Sequence, residues 1–188
     1  MLFRSANYDQ VIRLAPNMPQ AHNNRGLTLK EMGRLEDAKA SIEQALALKP
    51  DYPEAITNRA NIAFQQGRYD DAQADFTRAL ELQPEMAEAN HGRGLASLTQ
   101  GDWETGFRLY EYRGKLKEPT FKPLPYPRWD GKVESGEEVV LVTEQGLGDA
   151  IQFARFAPEI AKRGAKVTLL APQPLHRLLS TLESVTLA

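Results

Sequence analysis

Apolar and small residues recur three and four apart through residues 1–118, and the whole pattern returns after 34 residues. Pro16, Pro50 and Pro84 keep this register, as do Ala21 and Ala55, Asn24 and Asn58, Gly33 and Gly67, Ala38 and Ala72, and Ala45 and Ala79. Each unit reads as a helical hairpin: in the first full copy, helix A spans about 20–32 and helix B about 35–48. Gly33, Gly67 and Gly101 fall where a helix end favours left-handed backbone. Pro50 and Pro84 fall just past helix B, where proline punctuates a helix. Small residues (Gly26/Ala60/Gly94, Ala38/Ala72, Ala45/Ala79) mark close helix approach, and Leu29, Leu35, Ile42, Leu46, Ile62, Tyr69, Phe76 and Leu80 fill the gaps. One hairpin cannot bury its apolar stripe alone, so the copies are expected to stack into a superhelix.

The pattern divides into a half repeat at 1–18 and repeats at 19–52, 53–86 and 87–118. Residues 2–15 read as a lone helix B, with Tyr8, Val11, Ile12 and Leu14 at the phases of Ile42, Ala45, Leu46 and Leu48, so the chain is expected to begin inside a longer array. The third copy drifts: Gly106 and Arg113 replace the two helix B alanines.

Beyond it the character of the chain changes. Four prolines within 119–127 forbid helix and predict an extended linker at 119–136. Phe121, Tyr126 and Trp129 are too apolar for a free linker and are expected to dock on helix B or on the next domain. Residues 138–143 form a β-branched run suited to a buried parallel strand, followed by the glycine turn 144–149. A helix over 150–163 is phased through Ile151, Ala154, Phe156 and Ile160, with Pro158 predicting a kink or early break. A strand at 166–171, a helix at 175–182 and a strand at 185–187 complete β-α-β-α-β, half of a doubly wound sheet. The expected fold is therefore mainly α, a helical-hairpin superhelix followed by a partial Rossmann-like α/β unit at 137–188.

Charge and composition narrow the chemistry. Lys plus Arg is 23 and Asp plus Glu 25, a net charge of −2 that gives no basic surplus for nucleic acid. With no cysteine and three scattered histidines, His22, His91 and His176, no metal-ligand spacing is present and no cofactor is expected. No apolar run reaches the ~20 residues of a membrane helix, and no signal segment is visible, so no membrane partner and a cytoplasmic location are expected.

The small-residue positions, the Leu or Tyr before Glu-Asp-Ala and Asp-Asp-Ala, and the closing prolines resemble tetratricopeptide repeats over residues 1–118. That resemblance implies a peptide or protein partner held in a groove lined by helix A, here Asn23, Asn24, Leu27, Lys30, Glu31, Thr57, Asn58, Asn61, Gln65, His91 and Ser97. Asn24 and Asn58 share a phase, like the asparagine ladder of O-linked N-acetylglucosamine transferases. They fit a clamp on a peptide backbone or plain solvated positions, and a two-rung ladder broken by Gly92 favours the second. Arg25, Arg59 and Arg93 fit recognition of acidic ligands or packed stems with solvated heads, the latter preferred.

Gly-Asp-Trp with Tyr-Glu-Tyr-Arg at 101–113, Pro-Arg-Trp-Asp-Gly at 127–131 and Glu-Gln-Gly-Leu-Gly-Asp-Ala at 144–150 resemble bacterial proteins joining such repeats to a glycosyltransferase-like domain. The Gly148-Asp149 turn is similar to that of heptosyltransferase-type enzymes with the GT-B fold. The resemblance implies Asp149 as general base toward an acceptor hydroxyl, with Gln145, Gly146, Gly148 and Gln152 around the ligand. Asp149 equally fits a helix cap. A nicotinamide site fits poorly, since Ile151 stands where a third glycine is needed and Ala171-Pro172 where an acidic residue is needed. The resemblance further implies that a nucleotide sugar binds a second half lying beyond this chain. This chain alone is then expected to act as an interaction scaffold without glycosyl transfer. Its sheet edge is expected to pair with another copy, pack on the third repeat, or stay partly disordered.

Overall fold

The computed structural model describes residues 2–117, 125, 127–144 and 146–188, with side chains from residue 7 onward. It divides into two units, Met1–Glu118 and Pro119–Ala188.

The first unit is a run of antiparallel helices: α1 Leu2–Leu14, α2 Pro19–Glu31, α3 Leu35–Leu48, α4 Pro53–Gln65, α5 Tyr69–Leu82, α6 Ala87–Thr99 and α7 Trp103–Tyr110, closed by a 3-10 turn at Glu111–Lys115. Pro19 and Pro53 open α2 and α4, where a missing N–H costs nothing because the first turn has no acceptor for it. Each A helix ends the same way. At α2, Gly33 takes φ +75°, its N–H donates to Lys30 O at 2.9 Å, and Arg34 N–H donates to Leu29 O at 3.0 Å. Gly67 with Arg68, and Gly101 with Asp102, repeat the arrangement, so three Schellman turns set the hairpins.

Two apolar clusters hold the hairpins together, and each takes residues from one hairpin and the helix A after it. Leu29, Ala38, Ile42 and Ala45 close on Ala55 and Ile62. Ala60, Ala72, Phe76 and Ala79 close on Met86 and Ala89, and Leu46 borders both clusters. Full burial of side chains such as Ile42, Ile62 and Phe76 supplies about 2 kcal/mol each. Polar ties repeat as well: Gln66 donates to Glu36 at 2.6 Å, and Gln100 to Asp70 at 2.7 Å. In α1 the expected helix B phasing holds only in part. Tyr8 and Ile12 are half-buried, whereas Val11, at the phase of buried Ala45, is exposed because no described helix covers that side.

The second unit is a three-stranded parallel sheet in the order β1 Glu138–Val142, β2 Lys166–Leu170, β3 Val185–Leu187. Val139, Val167 and Val185 lie in register, as do Leu141, Leu169 and Leu187. That face packs against α8 Leu147–Ala154, α9 Phe156–Lys162 and the one-turn α10 His176–Leu179. Trp129 joins the cluster of Val139, Ala157 and Val167, so it docks as expected; Phe121 and Tyr126 lie outside the described residues.

Two expectations are corrected here. The helix face turned to the sheet is Ala150, Ala154 and Ala157, while Ile151 and Phe156 are exposed. Alanines let the helices approach the valines of the sheet, so the bulky residues turn outward. The expected helix at 175–182 is the single turn of α10, preceded by a 3-10 turn at Gln173–Leu175. The break that Pro158 predicts falls at Arg155: α8 ends at Ala154, the residue whose carbonyl Pro158 cannot serve.

Candidate functional site

Helices α2, α4 and α6 present one shared side. Asn58 of α4 donates from Nδ2 to Asn23 Oδ1 of α2 at 2.9 Å, which joins the two helices across a repeat. On this side Asn24, Leu27, Lys30, Asn58, Asn61 and His91 are half-buried, and Glu31 and Gln65 are exposed. The carboxamides of Asn24, Asn61 and Gln65 make no hydrogen bond among the described residues. Each therefore keeps two donors and an acceptor for an incoming chain.

Three of the expected groove residues are not open to a ligand. Asn23 is 3% exposed and spends its oxygen on Asn58. Thr57 is 2% exposed and donates to Met86 Sδ at 3.4 Å; Ser97, 3% exposed, accepts from Gln73 at 2.9 Å. Their phase points between helices, which the helix A resemblance did not resolve. The break in the asparagine ladder also has a physical cause. A Cβ at Gly92 would lie 2.4 Å from Phe76 Cζ, so the ring of Phe76 occupies the space of a third rung.

The electrostatics of this side follow from partial burial. Desolvation lowers the Lys30 ammonium below its usual range, with Glu31 opposing the shift. His91 is also lowered, first by burial and then by the nearby charge of Arg113. Its ring lies 5.3 Å from that of Tyr110, and the Arg113 guanidinium sits 4.7 Å over the Tyr110 ring. Arg113 is buried and also donates to Glu111 at 2.9 Å. Tyr110 and Arg113 were absent from the expected groove. The signal was an arginine standing at the phase of Ala45 and Ala79.

On the other unit, the turn after β1 leads into α8. Asp149 is half-buried and its Oδ2 accepts from Gly146 N–H at 3.4 Å, the carboxylate arm of a helix cap. Gln152 is exposed one turn further on, and Gln145 lies outside the described residues. A Cβ at Gly148 would meet nothing within 4 Å, so no protein contact there demands glycine. A cleft of about 630 Å³ lies on neither candidate site. It is lined by Asp9, Ile12 and Arg13 of α1, His22 and Arg25 of α2, and Ser41 of α3. Among the described residues no group of three or more His, Asp or Glu could hold a metal ion, and no helix is long and apolar enough to cross a membrane.

The hairpins with their glycine turns, small-residue contacts and 34-residue register are tetratricopeptide repeats. Family models described by that name match residues 29–74 and 57–113. Protein FlbA of Caulobacter vibrioides is 37% identical over 60 residues, which make up 30% of this chain and 10% of FlbA. The chain thus spans about a tenth of the curated relative it matches. Among solved structures, MamA superposes with a TM-score of 0.52 at 23% identity, over 60% of this chain and 66% of MamA. YrrB, described as a tetratricopeptide-repeat protein with an unusual peptide-binding site, gives 0.53 at 18% identity, over 58% of this chain and 57% of its own. These likenesses show the fold of the repeat unit.

Proposed function

We infer that the repeat unit is a protein-interaction scaffold that takes an extended peptide along the shared side of α2, α4 and α6. The observation that carries this reading is the set of unengaged carboxamides, Asn24, Asn61 and Gln65, beside an Asn58 whose amide is already oriented by Asn23. Carboxamides pair with peptide N–H and C=O groups whatever the side chains, while Leu27 offers an apolar contact and Lys30 a positive charge. Lys30 is partly desolvated and forms no close ion pair among the described residues, so a carboxylate on the ligand gains from meeting it. A cytoplasmic location goes with this reading.

Panning a displayed peptide library against the chain, then titrating the enriched peptide by calorimetry, tests it. The triple variant Asn24→Ala, Asn58→Ala, Asn61→Ala weakens binding about tenfold or more, roughly 1.4 kcal/mol. Unchanged affinity in the folded variant contradicts the reading.

A second reading concerns the sheet unit, and the open turn at Gly146–Asp149 favours it. There the unit is the acceptor-side half of a GT-B glycosyltransferase, Asp149 serves as base, and the repeats recruit a protein acceptor. The absence of any packing demand for glycine at 148 leaves room for a ligand against the backbone. A reading frame that continues past Ala188 into a nucleotide-sugar-binding half supports this, and a stop codon there contradicts it. The outer position of β1 in the described sheet, with Val140 and Val142 exposed on it, also supports pairing between copies through the sheet edge. Sedimentation equilibrium checks that pairing, and a monomer at all concentrations contradicts it.

A further inference from the structure

Arg25, Arg59 and Arg93 hold one phase of the repeat, and the first two find their partners sixteen residues away. Arg25 donates from Nε to Asp9 at 2.6 Å and from Nη1 to Ser41 at 3.1 Å. Arg59 makes a bidentate pair with Asp75, at 2.7 and 2.6 Å, and Glu43 on the other side adds to the field that raises its pKa. Around Arg93 the same two positions hold Thr77 and Leu109, neither charged. Nε of Arg93 is buried and has no hydrogen-bond partner among the described residues, while the residue as a whole is half-buried.

Such a donor is costly to leave unmade, and a carboxylate is the acceptor that fits the guanidinium fork. A second cation stands nearby in the register. Ala40 lines the cleft beside Arg25, and the residue at its phase two repeats on is Arg108, exposed and without an ion pair among the described residues. Arg93 lies two residues from His91, about 200° round α6, so this surface is distinct from the carboxamide side.

We propose that Arg93 is a docking point for a carboxylate, supplied by an acidic segment of a partner protein laid across α5, α6 and α7, with Arg108 as the outer cation. In the first two repeats Asp9 and Asp75 fill this slot from within the chain. In the third, Thr77 and Leu109 bring no carboxylate to Arg93, and the half-buried guanidinium side chain is left to a ligand's carboxylate. Charge complementarity selects the occupant, because neither Arg93 nor Arg108 has an ion pair among the described residues, whereas Arg25 and Arg59 at the Arg93 phase each hold an aspartate.

The probe is a hexaglutamate peptide titrated into the full 15N-labelled chain, read at the Nε–Hε signal of Arg93 and, in the parent chain and every variant alike, at the backbone amides of α6. The expected result is a saturable shift that Arg93→Gln weakens at least tenfold. Leu109→Asp restores an internal carboxylate at the phase of Asp75 and is expected to abolish the response. Leu109 is buried, so Thr77→Asp, at the phase of Asp9, decides the matter should Leu109→Asp fail to fold. No saturable shift in the parent chain, or an undiminished one in folded Thr77→Asp, overturns the proposal. An equal saturable response to inorganic phosphate at matched ionic strength overturns the assignment to an acidic segment.

Discussion

Helices α2 to α6 each have a neighbour before and after them, and Leu29, Ile42, Ile62 and Phe76 are no more than 2% exposed. In the sheet unit Val140 and Val142 face solvent from β1, and Leu147, Ile151, Phe153 and Phe156 do so from α8 and α9. The difference lies in how each architecture supplies neighbours. A 34-residue repeat presents the same small and large positions to every adjacent hairpin, so burial propagates along the stack. Large exposed residues gather on its outermost helices, Val11 and Leu14 on α1 and Trp103 and Phe107 on α7. A parallel sheet has two faces to cover, and here the described helices cover only the one bearing Val139 and Leu169.

Core truncation breaks or sharpens this contrast most strongly. Phe76→Ala is expected to cost about 4 kcal/mol, seen as a lower urea midpoint of the helical circular dichroism signal. Val140→Thr on the open sheet face is expected to change stability by less than about 0.5 kcal/mol. Similar costs for the two would erase the distinction. Next in size is Gly94→Ala, whose Cβ would lie 2.8 Å from the backbone nitrogen of Tyr110. Backbone cannot rotate away, so a loss of about 2 kcal/mol is expected despite alanine's better helix propensity. Gly148→Ala meets open space and is expected to be close to neutral by thermal melting.

A smaller effect comes from pH. Burial and Arg113 hold the His91 pKa below the ordinary histidine value of 6.5. The unfolded chain therefore binds more protons as pH falls, and the stability from neutral His91, complete above that value, is lost as pH drops through the folded pKa. Between pH 7 and pH 5 the parent chain is expected to lose more melting temperature than His91→Gln. Equal losses would contradict the burial of His91 against Tyr110 and Arg113. The smallest effect is at the sheet unit's cap. Asp149→Ala is expected to cost about 0.5 kcal/mol, because the bond to Gly146 is long and exposed.

The repeat unit was legible because its rules are local and recur. Gly33, Gly67 and Gly101 marked the turns, and the alanine phases marked the helix contacts. What the phase could not give was depth. Asn23 and Asn24 are adjacent, yet a 100° step buries one and leaves the other half-open. The sheet unit was legible in its strands and in the break before Pro158. Of the helical phasing through Ile151, Ala154, Phe156 and Ile160, Ala154 and Ile160 pack on the sheet, while Ile151 and Phe156 are exposed. Hydrophobicity favours the large residues, whereas close packing on a valine-rich sheet takes Ala150, Ala154 and Ala157. Arg113 was a departure visible in the sequence, but its burial beside Tyr110 depends on the 3-10 turn that ends the array.

The central claim is that a peptide binds along α2, α4 and α6. Amide chemical-shift mapping with a peptide enriched from a displayed library tests it most directly. The account predicts that the largest shifts fall on the side-chain amides of Asn24, Asn58, Asn61 and Gln65 and on their backbone neighbours. Shifts confined to α3, α5 and the turn before α8, with those carboxamides unmoved, would contradict it.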